Sequence, residues 1–396
     1  MGVVTRDASS EAQRALQRRA SAFYRRFPEP LREPIRRFAA GTRARADLVT
    51  VFPGAAVALV TRFGGSEACQ RAIALLDEER PLKEVAAALG VPMWLRRLQP
   101  EAFATPLSRL PDDEEFSRRI TPHLPRSRLN SAAWLRAVIY AYHAVGRDFA
   151  IWIAHQPIHD STDSEPRIAM LSAWAWFSGQ IGTDARQLMS ARWGPDLSFE
   201  TALIGTKTWF NRVRLATLYL NRPVADSWLE GGMVRGFAVV PLLTAKDLLA
   251  ESRAMFNCVD QFAKRIADDR CRLFSIRSPD GVRIATVEIG QHPREVGFLA
   301  INQIKGRHNL PASAEAWQIA YSWMGGQRSL SRMPPTSLSS PLIDRSAWAS
   351  LMKPYWDAMG EQRAVPRALT LPIIDRLDED LTILARRSGV TCWLFN

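Results

Sequence analysis

Between residues 271 and 304 the hydrophobic period of this chain drops to two, and that change does most to restrict its fold. Residues 271–277, 282–289 and 296–304 are short runs rich in apolar side chains, several of them β-branched. They are separated by Ser278-Pro279-Asp280-Gly281 and Gly290-Gln291-His292-Pro293. Alternation over such lengths specifies half-buried strands, and Pro-Asp-Gly between two of them signals a hairpin. Upstream, Thr244 opens a periodic segment that predicts an N-capped helix to about Asp268. Its seam repeats as Leu248, Met255, Phe262 and as Ser252, Val259, Ile266. Residues 235–241 read as a strand or an extended lead-in, and residues 313–324 as a closing helix. The expectation is an α+β fold: a module at 235–325 made of a helix, a three-stranded antiparallel meander and a last helix.

Elsewhere the period is helical. Helices are expected at about 9–26 and 31–46, broken at Phe27-Pro28-Glu29-Pro30, and from Glu67 to about Glu79. They resume at 130–146, 147–155, 165–181, 184–191 and 197–220, then at 344–358 and 371–387. The resulting organisation is a basic arm (1–46), a helical segment (47–110), a linker or loop rich in Pro and charge (111–128) and a helical bundle (129–230). The module at 235–325 follows, then a Ser/Pro linker (326–342), then C-terminal helices with the apolar tail Cys392-Trp393-Leu394-Phe395 (343–396). The N-terminal half is thus mainly helical and so is the C-terminal tail.

The charge narrows the choice of partners. Lys plus Arg number 52 against 40 Asp plus Glu, a net charge of +12, which favours polyanions. Of those 52, 46 are Arg, a skew that a GC-rich genome also produces. Residues 1–45 carry eleven Arg and four acidic side chains. Arg14, Arg18, Arg19, Arg25 and Arg26, interleaved with Leu16, Phe23, Tyr24 and Phe27, would suit phosphate backbones. A solvated helical hairpin has the same pattern. A second candidate lies at 81–98, where an Ala-rich helix, Gly90 and a segment opened by Pro92 follow helix-turn-helix grammar. Arg96 and Arg97 would then face phosphates. Pro100 leaves that second helix barely two turns, and Trp94 reads as core.

Cys69, Cys258, Cys271 and Cys392 are far apart, with no zinc-finger spacing, so a reducing, cytoplasmic location is expected. No secretory leader and no membrane span is expected: the longest apolar run, 49–60, is interrupted by Thr50, Pro53 and Gly54. Glycine-rich phosphate loops and HExxH are absent. His155 and His159 lie near Asp160 and Asp163, but Pro157 breaks the helix that would align them, so no metal and no cofactor is expected.

One set of residues carries a resemblance. Gly236, Pro241 and Leu242 are followed by Met255-Phe256-Asn257-Cys258-Val259. Ala285-Thr286-Val287-Glu288 comes next, then Gln303-Ile304-Lys305-Gly306-Arg307-His308-Asn309. In order and spacing this resembles the PcfJ-like family of bacterial conjugative-element and phage genes. The resemblance covers under a quarter of the chain. Asn257 departs from the family pattern, which tends to have His before the Cys. The resemblance implies an association with mobile elements and DNA transfer, with DNA or RNA and proteins of a DNA-transfer or phage system as partners; it implies no established activity. Met255, Asn257, Cys258, Thr286, Glu288, Gln303, Gly306 and Asn309 are its motif positions.

Three functions follow from these readings. The first is a non-enzymatic nucleic-acid-associated or assembly factor. The second is a Cys-dependent enzyme with Cys258 as nucleophile, His308 as base, and Gln303 and Asn309 as amide donors. Asn257 cannot serve as a base. The third is a scaffold whose charge only solubilises. A buried helical Cys is ordinarily a small core residue, and Gln303 and Asn309 could serve only buried backbone groups and a turn.

Overall fold

The computed structural model describes residues 22–61, 66–104, 107, 110–126, 128–156, 167–219, 226–333, 343–360, 365–392 and 394. Arg14, Arg18 and Arg19, the cluster of His159, Asp160 and Asp163, and Trp393 and Phe395 of the tail lie outside the described residues. The chain divides into two compact units: residues 1–175 with 194–199 and 386–389, and residues 176–193 with 200–385 and 390–396.

The first unit is helical. It contains α1 (Glu29–Ala39), α2 (Arg43–Val51), α3 (Pro53–Thr61), α4 (Glu67–Asp77), α5 (Leu82–Leu89), α6 (Glu114–Ile120), α7 (Arg128–Ala144) and α8 (Arg147–Ala154), and α9 (Ala169–Ser178) begins in it. Residues 53–59 of α3 are all buried. Gly54 is required there, because a Cβ would meet the Phe103 ring at 2.9 Å. Tryptophans bind this core through both ends of the indole. Trp94 lies 6.1 Å from Phe116 and 6.4 Å from Trp134 between ring centroids, and its N–H donates to the Pro111 carbonyl. Trp134 donates to the Ala154 carbonyl. A buried indole N–H thus finds an acceptor while the ring adds apolar area.

Two expectations are corrected in this unit. The segment after α5 is a five-residue 3-10 turn (Met93–Arg97) instead of a second helix, so there is no recognition helix. Pro92 and Pro100 bracket it, and Trp94 and Leu95 point into the core. The expected linker at 111–128 contains α6, N-capped by Asp113, with Phe116 and Ile120 buried. Among the described residues no single helix is long and apolar enough to cross a membrane; α2 and α3 pass that test only jointly, across a 116° bend.

The second unit is mixed α+β. Its sheet has five antiparallel strands in sequential order: β1 (Gly232–Val234), β2 (Phe237–Pro241), β3 (Cys271–Arg277), β4 (Arg283–Gln291) and β5 (Leu299–Lys305). Three strands were expected. The two extra ones come from the lead-in, which doubles back through Arg235 and Gly236. Both have positive φ, 51° and 83°, as a two-residue primed turn requires. Arg is an unusual residue for that position, which is why the hairpin escaped the sequence reading. Helices α10 (Asp184–Gln187), α11 (Phe199–Tyr219), α12 (Ala245–Met255), α13 (Ala263–Ala267), α14 (Ala314–Gly325), α15 (Arg345–Met359) and α16 (Leu371–Arg387) complete the fold.

The sheet has a different core on each face. Phe274, Ile276, Ala285, Val287, Ile289 and Ile304 pack with Ile319, Ala320 and Trp323 of α14. Leu273 and Cys271, one position out of phase, pack with Leu248 of α12, Phe262, Ile266 of α13 and Leu215 of α11. The side chains of Thr286 and Glu288 share that second face, because strand residues alternate.

The expected continuous helix to Asp268 is also corrected. It stops at Met255, with Phe256 left-handed at φ 50°, and resumes as a 3-10 turn (Val259–Gln261) and then α13. The heptad-like seam is real as buried surface but belongs to three short elements. At the other end α12 starts in a capping box: Asp247 N–H donates to Thr244 Oγ1 at 3.1 Å, and Thr244 N–H donates to Asp247 Oδ2 at 2.9 Å. Thr244→Ala is expected to cost about 1 kcal/mol, read as a lower urea midpoint for the second unit at unchanged slope.

Candidate functional site

Antiparallel register builds the site. Glu288 pairs with Leu273 on one side and Gln303 on the other, and Thr286 pairs with Ser275 and Lys305. Two adjacent rows therefore place Leu273, Glu288, Gln303, Thr286 and Lys305 on one face of the sheet. Over them lies the break after α12, carrying Asn257, Cys258, Val259 and Phe262, and beside them Asn309 of the turn after β5. These ten residues line a cavity of about 340 Å³. The motif positions Asn257, Cys258, Thr286, Glu288, Gln303 and Asn309 all line it. Met255 is buried beneath, and Gly306 lies buried at the end of β5.

Two buried carboxylates organise the floor. Glu251, fully buried on α12, accepts from Arg283 Nε at 2.8 Å and from Thr286 Oγ1 at 2.8 Å. Asn257 Nδ2 donates to Thr286 Oγ1 at 2.9 Å, which completes a chain from the helix break through the strand to Glu251. Glu288 is 2% exposed and is gripped at both oxygens by Arg265. Gln303 Nε2 donates to it at 2.6 Å and Asn302 Nδ2 at 3.3 Å. Gly290 makes the last contact possible, because any Cβ there would meet the Asn302 amide at 2.1 Å. A bulge in the β4–β5 register between Glu288 and Ile289 accompanies it.

The thiol of Cys258 donates to Asn309 Oδ1 at 3.6 Å. Burial, and then the Asp260 carboxylate, raise its pKa above that of an ordinary thiol, which disfavours the thiolate. His308 does not line the cavity. It is exposed, left-handed at φ 59°, and stacked on Phe256 with centroids 4.9 Å apart. Cys258, Gln303 and Asn309 are thus brought together, and His308 is turned away from them.

The other predicted residues are scattered. Arg26 is tied to Glu101 at 2.8 Å and to Gln99 at 2.6 Å, so its guanidinium is engaged in fold contacts. Arg25, Arg96 and Arg97 are exposed. His155 stacks on His123 at 3.5 Å, and among the described residues no group of His, Cys, Asp or Glu is placed to hold a metal ion. The first unit has a larger cavity, about 520 Å³, lined by Arg43, Asp47, Val51, Leu76 and Glu79 among others, with no converging polar groups beyond a loose Arg43–Asp47 pair. Sequence reading missed Glu251, Arg265, Arg283 and Lys305 as site members. Period-two spacing from Gln303 already marks Lys305, whereas the arginines come from distant positions.

No protein-family model, curated protein or solved structure matches this chain.

Two outcomes follow from this geometry. Glu251→Ala strands Arg283 and Thr286 and is expected to cost about 3 kcal/mol, read by urea denaturation; Arg283 is partly exposed, which keeps the cost at the lower end. Cys258, with its thiol pKa raised, is expected to alkylate more slowly than a free thiol at neutral pH. Its rate should climb only above the ordinary thiol range, as followed by peptide mass spectrometry.

Proposed function

We propose that this chain is a non-catalytic nucleic-acid-binding protein whose α+β module holds a single strand. The observation that carries this reading is Phe256, a large aromatic 56% exposed and in left-handed backbone, next in sequence to Asn257 of the cavity lining. Its ring is stacked with His308, and the Arg307 guanidinium lies 4.8 Å from its centroid. A lone exposed Phe is ordinary. This one is held in a conformation that costs about 1–3 kcal/mol for a non-glycine residue, and His308, itself left-handed like the adjacent Asn309, stacks on it. Strain of that kind persists where the surroundings enforce it, and an aromatic ring beside a guanidinium is the kind of platform unpaired bases stack upon.

Other features support the same reading. Lys305 adds a cation inside the cavity, and the chain carries +12 overall. The unreactive environment of Cys258 and the outward position of His308 favour binding over thiol catalysis. The resemblance to PcfJ-like proteins supports a setting in mobile-element biology, with proteins of a DNA-transfer or phage system as further partners.

Fluorescence anisotropy with labelled single-stranded DNA, single-stranded RNA and duplex DNA across a salt series tests the proposal. Single strands are expected to bind better than duplex, with affinity falling as salt rises. Phe256→Ala should weaken single-strand binding about tenfold or more at an unchanged salt slope, and Arg307→Ala should weaken it and flatten the slope. Absence of single-strand binding at low salt, or wild-type affinity in both variants, would overturn it.

A further inference from the structure

The hydrogen bonds of the cavity lining can be counted, and most are already committed. Glu288 accepts from Arg265, Gln303 and Asn302 at its two oxygens, and Thr286 donates to Glu251 while accepting from Asn257. Asn257 Oδ1 accepts from the Val259 N–H at 3.4 Å. Gln303 must turn its Nε2 toward the carboxylate, because the other orientation would set oxygen against oxygen; its Oε1 is thereby left as an acceptor with no donor among the described residues. Asn309 gives Oδ1 to the Cys258 thiol and keeps Nδ2 as a donor. Lys305 lines the cavity with its ammonium in no hydrogen bond or ion pair among the described residues. What remains is one acceptor and two donors, beside the apolar surfaces of Val259, Phe262 and Leu273.

We infer that this cavity takes one unpaired pyrimidine base. The inference rests on the single-strand reading above and names what the strand inserts. The pairing edges of thymine and uracil each present one N–H donor between two carbonyl acceptors. That of cytosine presents one amino donor and two acceptors. Either complements one acceptor and two donors. The guanine edge has the opposite count, one acceptor and two donors, and would leave a donor facing Lys305 or Asn309. Adenine offers a single acceptor on that edge and would leave one of them unmatched. A volume of about 340 Å³ is at the small end for ligand sites and fits one base and part of its sugar. The Phe256 platform outside would stack the neighbouring base, as extruded bases and their neighbours are commonly held.

The test uses the full chain and single-stranded homopolymers of thymidine, cytidine and deoxyadenosine, each compared with a strand carrying abasic sites. Pyrimidine strands are expected to bind about tenfold or more tightly than the purine strand and to lose that advantage when abasic. Gln303→Met and Asn309→Asp should each collapse the preference while leaving the salt slope unchanged. Asp tolerates the left-handed backbone at position 309. Generic stacking within the purine strand would be unaffected by either variant. A second readout needs no variant: the thymidine strand should protect Cys258 from alkylation at alkaline pH, and the adenosine strand should not.

Failure of the inference is distinguishable from failure of the reading beneath it. If no single strand binds, both fall. If all strands bind alike, or the preference survives Gln303→Met and Asn309→Asp with Cys258 unprotected, the base pocket is overturned and single-strand binding stands.

Discussion

Glu288 is buried on the sheet face it shares with Leu273, Thr286, Gln303 and Lys305, and the site is arranged around the cost of burying it. Removing a carboxylate from water costs several kcal/mol even after relaxation, so it must be paired and its lone pairs filled. Arg265 reaches over from α13 to fill two positions, and Gln303 and Asn302 fill the others. Each of these partners is thereby fixed. Gln303 loses its amide rotation, the strand accepts a bulge so that Asn302 can reach, and Gly290 must lack a side chain. The same logic repeats one row away, where Glu251 orders Arg283, Thr286 and Asn257.

These two clusters explain why the helix must break where it does. A continuous helix through residue 258 would carry Asn257 past the strand and leave Thr286 without its donor. Instead Ser252 Oγ donates to the Asn257 carbonyl at 2.6 Å and Asn257 N–H donates back to the Ser252 carbonyl at 3.3 Å, a local closure that ends the helix and folds the motif down onto β4. The left-handed Phe256 is the consequence: its backbone makes the reversal and its side chain is left outside. Strain, exposure and position are therefore one feature, set by polar groups buried beneath it.

Much of this was legible in the residues. Period-two alternation located β3 to β5 within a few positions, and Ser313 and Thr244 marked helix starts that the structure keeps. Thr286, Glu288 and Gln303 were visible only as motif positions, and their common face follows from a register that the bulge between Glu288 and Ile289 shifts. Three things were not legible. The periodic pattern of 244–268 survives a broken helix, because its apolar residues face the same core from three short elements. The primed turn at Arg235-Gly236 lacks the Asn or Asp that ordinarily announces one. Arg265 and Arg283 acquire their roles only from register and tertiary packing, and an arginine-rich sequence offers no way to tell a buried partner from a solvated charge.

Asn257 brings these strands together. A His at this position would be able both to donate a hydrogen bond and to take up a proton near neutral pH. An amide retains the first capacity and lacks the second. Its Nδ2 donates to Thr286, so the chain to Glu251 is kept intact, but the amide cannot accept the thiol proton. The thiol itself is turned to Asn309, with burial and then Asp260 raising its pKa. A site arranged in this way keeps the rigidity that its polar network supplies, and the orientation of its uncommitted donors and acceptors is what the proposed binding role rests on.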